Sequence, residues 1–312
     1  MNRQIIDPEL VEILACPVCK SGVGLRDMEL VCTNDTCRLR FLVVDGIPIM
    51  LPPSMSGDLA LTRRRWDTRY ESQTVKRIDL GNEPETRDAL VHIKKNMRTT
   101  DGLFLEVGSG FSKVSCALAK EGTKTTGIDI SLSAIKGAKE LFEIEGVKGF
   151  LVNGDILHMP FRDNSFSFMY AGGTIEHFDD TEQCVKELFR CLKPGGLLTA
   201  TIPCISLSTP YIVLRGNIPD LPLVKSITEV IHLSLLKGRY MQFGYEKSFT
   251  PRRIKKVFND AGFCSIQIGL FETYYPLTMF RYKFVKKMLT RLAKLRPFWP
   301  MIYINGSKGI ET

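Results

Sequence analysis

Three observations in this sequence of 312 residues predict an α/β fold, a parallel, doubly wound sheet with a small cysteine-bound module in front. A buried strand, Leu103-Phe-Leu-Glu-Val, runs straight into a glycine turn, Gly108-Ser-Gly110, and helical periodicity begins at once. Strand and helix patterns then alternate to about residue 203, the signature of strands joined by crossover helices. Upstream, Cys16-Pro-Val-Cys19 and Cys32-Thr-Asn-Asp-Thr-Cys37 form two cysteine knuckles twelve residues apart.

Each element of the alternating run has its own justification. Glycine at 108 and 110 lets the backbone turn tightly and approach a ligand, because neither carries a Cβ. The helix over 113–120 would point free N–H groups and its positive dipole end at the same place, with Gly122 as its cap. A dinucleotide fingerprint wants a third glycine at 113, where this chain has Lys113. Thr123 to Ile130 is β-branched and apolar and predicts a second strand, ending at Asp129, nineteen positions past Gly110. A carboxylate at that distance can accept hydrogen bonds from ribose hydroxyls; the alternative is a helix N-cap beside Ser131 and Ser133. Leu151-Val-Asn-Gly-Asp155-Ile156 predicts a short third strand, and Phe166 to Tyr170 a fourth. Ala171 to Asp180 carries Glu176-His177, a helix runs to Cys191, and Leu192-Lys-Pro-Gly-Gly opens a fifth strand to Pro203. A late helix is capped by Thr250 with Pro251 at its first position, and Cys264 to Phe271 reads as the last strand.

Taken in order, the acidic Gly-x-Gly turn, Gly154-Asp155, Thr174-Ile-Glu176-His177, Leu192-Lys-Pro-Gly-Gly and the Pro203 that follows resemble the class I S-adenosylmethionine-dependent methyltransferases. The likeness is to their type 11, ubiquinone- and menaquinone-type branch. The resemblance implies a Rossmann-like methyltransferase sheet. It implies that Glu106, Gly108 and Gly110 meet the methionine part of the cofactor, that Asp129 with Ile130 holds the ribose, and that Asp155 with the Ile156 backbone meets the adenine. Arg65-Trp-Asp-Thr-Arg-Tyr70 is similar to the family's leading helix, whose Tyr faces the cofactor's amino-acid end; a plain amphipathic helix explains it equally. Where the family often has a third glycine, this chain has Ser112.

Methyl transfer from a sulfonium is displacement at an already activated carbon, so alignment of nucleophile, methyl and sulfur carries most of the rate. A base is needed when the nucleophile is a hydroxyl or an acidic carbon. His177, after the fourth strand, is the candidate, with Glu176 beside it; the alternative is that both pack or cap a helix start. His92, His158 and His232 lack that context and are read as structural.

Four thiolates in two knuckles suit a closed, tetrahedral, structural zinc site of Cys16, Cys19, Cys32 and Cys37. The second knuckle is wider than usual. No signal peptide is read before Cys16 and the other five cysteines are scattered, so disulfides are not expected and a cytoplasmic location is. Residues 8–52 resemble the short zinc-ribbon family that includes the activator subunit of tRNA and protein methyltransferases. Five Lys/Arg against eight Asp/Glu through residue 58 make the ribbon a poor grip for phosphate, so a scaffold role is expected.

Domains are expected at 1–52 (ribbon), 53–62 (linker), 63–275 (methyltransferase, with a substrate-covering insertion at 204–245) and 276–312 (basic amphipathic tail). At 44% hydrophobic and 24% charged, the chain has the balance of a globular protein, and no apolar run reaches the ~18 residues of a membrane span. From 280 onward eight basic residues face one acid, while Phe280, Phe284, Met288 and Leu292 recur every fourth position. Such a tail fits an anionic membrane face, a helix packed on its own sheet, or RNA. The insertion is apolar and favours an apolar acceptor, or else a dimer surface. The expected function is S-adenosylmethionine-dependent methyl transfer to a small-molecule or lipid- or saccharide-linked acceptor, with peripheral membrane contact through the tail. The alternatives are an RNA methyltransferase, a ribbon being placed before the same fold in ribosomal guanine methyltransferases, and a non-catalytic cofactor-binding scaffold.

Overall fold

The computed structural model describes residues 6–53, 57–77, 79–97, 101–207, 209–213, 216–239, 241, 244–271 and 282–310. Ser54–Ser56 of the expected linker and Phe280 of the apolar stripe lie outside them. Two compact units form: Met1–Ala171 with Lys186–Leu198 and Lys308–Thr312, and Gly172–Val185 with Thr199–Ser307.

The first unit opens with α1 (Pro8–Ile13) and the hairpins β1 (Val23–Arg26)/β2 (Glu29–Cys32) and β3 (Arg40–Val44)/β4 (Ile47–Met50). Asp7 caps α1 by accepting the Glu9 N–H at 2.9 Å. The second hairpin turns on Asp45-Gly46, both at positive φ (52° and 79°), as a two-residue turn matched to strand twist requires. Then follow α2 (Gly57–Glu71), α3 (Pro84–Asn96), β5 (Leu103–Val107), α4 (Lys113–Lys120), β6 (Lys124–Asp129), α5 (Leu132–Glu145), β7 (Phe150–Gly154), β8 (Phe166–Gly172), α6 (Thr181–Cys191) and β9 (Leu192–Pro203).

The strand order in this unit is β1-β2-β3-β4-β7-β6-β5-β8-β9. β5 pairs in parallel with β6 and β8, and β6 with β7. From β5 the chain winds one way to β6 and β7 and then the other way to β8, so the order reverses between β5 and β8. Ligands bind in such sheets at the carboxyl ends of the strands beside that reversal. Phe104, Leu118, Leu141, Phe142, Phe168 and Ile93 form one core cluster, and β5, β6 and β8 are buried at nearly every position, which explains why these strands read as continuous apolar runs. α5 starts on Ser131, whose Oγ accepts the Ala134 N–H at 3.1 Å, and stops at Gly146 in the left-handed region.

The ribbon is built into this sheet. β4 pairs in parallel with β7, Ile49 opposite Asn153 and Met50 opposite Gly154. Ile47 packs with Ile135, Ala138 and Leu151. The Ala15 N–H donates to the Pro160 carbonyl at 3.0 Å, and Lys20 Nζ donates to the Met159 carbonyl and to Glu187 at 3.2 and 2.7 Å.

The second unit contains α7 (Thr209–Val213), β10 (Ile218–Pro219), α8 (Pro222–Glu229) continued by a π-helical stretch Val230–Leu235, β11 (Lys247–Ser248), α9 (Pro251–Asp260), β12 (Cys264–Leu270), α10 (Lys283–Ala293) and β13 (Met301–Ser307). Its strand order is β9-β13-β12, with β12 and β13 antiparallel. Thr250 caps α9 by accepting the Arg253 N–H at 3.1 Å, with Pro251 next. Here the sequence reading is corrected: the last strand is β13, not the stretch at 264–271, and 276–312 is not a tail throughout. Buried Ile302 and Ile304 alternate as a strand should, but Asn305-Gly306 reads as a turn and hid it. Asn305 is instead a buried partner of Thr199, whose Oγ1 donates to it at 2.9 Å.

Candidate functional site

The glycine turn at the end of β5 is built for close approach. Gly108 and Gly110 have φ of 61° and 52°, and Ser112, which starts α4, has φ of 50°. A Cβ on Gly110 would overlap the hydroxyl of Tyr70, which comes from the last turn of α2. The Tyr70 ring lies 5.0 Å from that of Phe111. Burial, then the nearby Asp129 charge, raises the Tyr70 phenol, so it stays protonated.

Two carboxylates brace the turn from below and beside it. Glu106 accepts the Ser115 N–H at 2.6 Å in the first turn of α4, and burial pushes it up to about 7. Asp129, at the tip of β6, accepts the Gly110 N–H and the Ser131 N–H, each at 2.8 Å, and burial raises it to about 6 against those bonds. Asp129 therefore ties the glycine turn to Ser131, and it is Ser131, not Asp129, that caps α5. Ile130 follows it, half-buried. Asp155 follows β7, fully buried, accepting the Leu157 N–H at 3.0 Å and lying 2.7 Å from His158 Nδ1. Ile156 is buried and opens a short 3-10 turn.

Sequence reasoning missed two residues that tie these pieces together. Asn153 Nδ2 donates to the carbonyls of Asp129 and Ile130 at 3.0 and 2.9 Å, fixing the ends of β6 and β7 to one another. A lone amide in the apolar run Leu151-Val152-Asn153 was the available signal. Asp67 on α2 accepts the Ser131 hydroxyl at 2.8 Å and the Ser133 N–H at 3.2 Å, holding the helix that carries Tyr70 against the start of α5. Its only signal was its place between Trp66 and Tyr70.

Glu176 and His177 belong to the second unit. They form a 3-10 turn, Ile175–His177, that begins three residues after β8 ends. Glu176 is buried, its Oε2 has no hydrogen-bond partner among the described residues, and burial, then Glu246, raises it well above the carboxylate range. His177 Nδ1 donates to the Tyr245 carbonyl at 2.7 Å, and burial lowers its pKa. The ring is thereby neutral at pH 7, with its lone pair on Nε2. The segment that returns from the insertion supplies this partner and more. The Tyr245 hydroxyl donates to Glu229 at 2.7 Å, and buried Lys247 donates to the Asp179 carbonyl at 2.8 Å. Nothing in the sequence marked Tyr245 or Lys247, because their partners lie 16 and 68 positions away.

The four sulfurs of Cys16, Cys19, Cys32 and Cys37 lie within 4.8 Å of one another, with Cys16–Cys37 at 3.7 Å and Cys19–Cys32 at 3.4 Å. Four thiolates about 2.3 Å from a tetrahedral zinc stand about 3.8 Å apart, close to the separations of this set. None of the four is in a disulfide. The wider second knuckle still closes, turning at Arg38, whose N–H donates to the Asn34 carbonyl at 2.9 Å with φ of 45°. A cavity of about 610 Å³ lies elsewhere in the first unit, against Leu80, Arg87, Leu90, Lys94, Ala117 and Glu145, and none of the residues above lines it.

Comparison with known proteins agrees with this geometry. Residues 105–200 match the family described as Methyltransferase domain, and residues 7–46 match Trm112p-like protein. The demethylmenaquinone methyltransferase of Lactiplantibacillus plantarum is 26% identical over 215 residues, covering 62% of this chain and 83% of the relative. That of Chlorobaculum tepidum is 29% identical over 182 residues, covering 56% and 68%. Phosphoethanolamine N-methyltransferase 2 of Haemonchus contortus, solved with S-adenosyl-L-methionine, shares the fold at 18% identity and a TM-score of 0.54, over 84% of this chain and 62% of that one. The bare glycine cradle and the strand-tip carboxylates fit S-adenosyl-L-methionine, and the cysteine cluster fits a structural zinc. The chain is an S-adenosyl-L-methionine-dependent methyltransferase, with a methyltransferase domain over 105–200 and an N-terminal Trm112p-like segment whose four cysteines are consistent with a structural zinc.

Proposed function

We propose that this methyltransferase acts on a small-molecule or lipid- or saccharide-linked acceptor through a hydroxyl or acidic carbon, with His177 taking its proton. The cofactor, when bound, supplies an electrophilic sulfonium methyl group. Gly108, Gly110, Tyr70 and Glu106 would hold its amino-acid end, Asp129 and Ile130 its ribose, and Asp155 with Ile156 its adenine. The observation that supports the reading best is the contact of His177 Nδ1 with the Tyr245 carbonyl. The Nδ1–H is committed to that carbonyl at 2.7 Å, which leaves Nε2 basic, and burial keeps the ring neutral near pH 7. Glu176, held protonated by burial, is suited to donate a hydrogen bond to an acceptor oxygen rather than to act as base. The names of the two quinone-acting relatives and the apolar content of 204–245 support an apolar acceptor.

The basic segment through α10 is proposed as a peripheral contact on the cytoplasmic face of a membrane; among the described residues no helix is long and apolar enough to cross one. The RNA reading draws on one observation, the sixteen Lys/Arg against five Asp/Glu between 199 and 307. Methyl-labelled cofactor incubated with the protein and a cell lysate separates the two. Label in organic-extractable or saccharide material supports the proposal, and label in nuclease-sensitive material overturns it in favour of RNA.

A further inference from the structure

The helix α8 and its π-helical continuation are inside out. Leu223, Ile227, Val230 and Leu235 are 82%, 60%, 55% and 71% exposed, and Val224 and Ile231 widen the same outward stripe. The polar residues face inward: Thr228 and His232 are buried, Lys225 bonds Asp179 at 2.6 Å, and Glu229 accepts the Tyr245 hydroxyl at 2.7 Å. A helix on a protein surface ordinarily turns its apolar side to the core. This one is anchored by its polar side and presents to the outside a contiguous apolar surface of the kind that marks a docking face.

We infer that the stripe Leu223–Leu235 is a membrane-inserting surface that seats the second unit on an anionic bilayer. Charge selects this occupant. The second unit holds sixteen Lys/Arg and nine Asp/Glu, so a second copy of the chain would bring two cationic surfaces together, whereas anionic headgroups neutralise them. Lys237 and Arg239 follow the stripe directly and are exposed, as cations flanking an inserted apolar face should be. In the same unit α10 repeats the combination, with Phe284 78% exposed among Lys283, Lys287 and Arg291. RNA would be served by the cations but gives no reason for six outward aliphatic side chains in thirteen positions.

The inference deepens the peripheral reading of α10, and the two fail separately. The test uses the full-length, zinc-loaded chain with vesicles of phosphatidylcholine alone or mixed with phosphatidylglycerol, read by co-sedimentation. Binding is expected only with phosphatidylglycerol and is expected to weaken with salt. Leu223→Glu/Ile227→Glu should lower the partition at least roughly tenfold, with melting temperature and affinity for S-adenosylmethionine unchanged because both side chains are already exposed. Lys283→Glu/Lys287→Glu tests α10 alone. Unchanged partition of the α8 variant overturns the inference, and if the α10 variant alone loses binding the peripheral reading survives without it. Light scattering decides the competing occupant: a dimer of the native chain that Leu223→Glu/Ile227→Glu converts to monomer overturns the inference in favour of a second copy. The vesicles contain no acceptor, so neither outcome bears on the methyl acceptor.

Discussion

Glu106 should make the cofactor-free protein lose stability as the pH rises through neutrality, and Glu106→Gln should remove that loss. The carboxyl is buried, accepts the Ser115 N–H at 2.6 Å, and is pushed from 4.5 up to about 7 by burial against its hydrogen bonds. A group whose pKa is higher folded than unfolded binds its proton more tightly in the folded state. Its stabilising contribution is therefore complete below about 4.5 and disappears as the pH climbs through about 7. The rise from 4.5 to about 7 corresponds to about 3 kcal/mol between pH 4 and pH 8. Asp129, raised to about 6, adds to the same trend over a slightly lower range. Glutamine keeps an acceptor oxygen for Ser115 and carries no charge. Glu106→Gln should thus be about 1–3 kcal/mol more stable than the native chain at pH 8 and nearly equal to it at pH 5. Urea denaturation followed by circular dichroism at pH 5, 6, 7 and 8 measures the difference. Parallel pH profiles for the two proteins would show that Glu106 is not a strained carboxylate and would refute the reasoning.

Other expectations follow from single contacts. Asp129→Asn replaces one of two acceptor oxygens facing the Gly110 and Ser131 N–H groups, and calorimetry should show S-adenosylmethionine binding about 10–100-fold weaker; native affinity would contradict the assignment. Gly110→Ala meets both the Tyr70 hydroxyl and a φ of 52°, costing about 1–2 kcal/mol in backbone strain alone. Adding Tyr70→Ala should recover part of the melting temperature, and no recovery would mean the overlap is irrelevant. Removing zinc by chelation should unfold β1 to β4, which have too small a core to stand alone, and so uncover the edge of β7. Hydrogen exchange at residues 150–154 should rise, and unchanged protection there would count against the coupling. His177→Ala should lower kcat by about 10²–10⁴ while leaving cofactor affinity intact, and an unaltered rate would remove the base from the proposal.

Much of the fold could be read from the sequence because its signals are local. The strand before Gly108, the carboxylate nineteen positions on at Asp129 and the Thr250-Pro251 cap each state their structure within a few residues. The two cysteine knuckles did so as well, since metal ligation fixes their spacing. What escaped depends on contacts far apart in the chain. Nothing in Ile47–Met50 announces a partner at Asn153 and Gly154, a hundred residues later, because any four-residue apolar strand could take that edge. The sequence marked 204–245 as apolar but not the direction in which α8 faces, since apolar content does not say what covers it. Tyr245, which fixes the tautomer of His177 through its main-chain oxygen, is invisible to any side-chain pattern.

Titration of the purified, zinc-loaded chain with S-adenosylmethionine is the most direct check, since the glycine cradle, Tyr70 and the strand-tip acids are all interpreted as its seat. The interpretation predicts saturable heat at one site per chain together with a raised melting temperature, both much reduced in Asp129→Asn. Neither heat nor thermal protection in the native chain would contradict it.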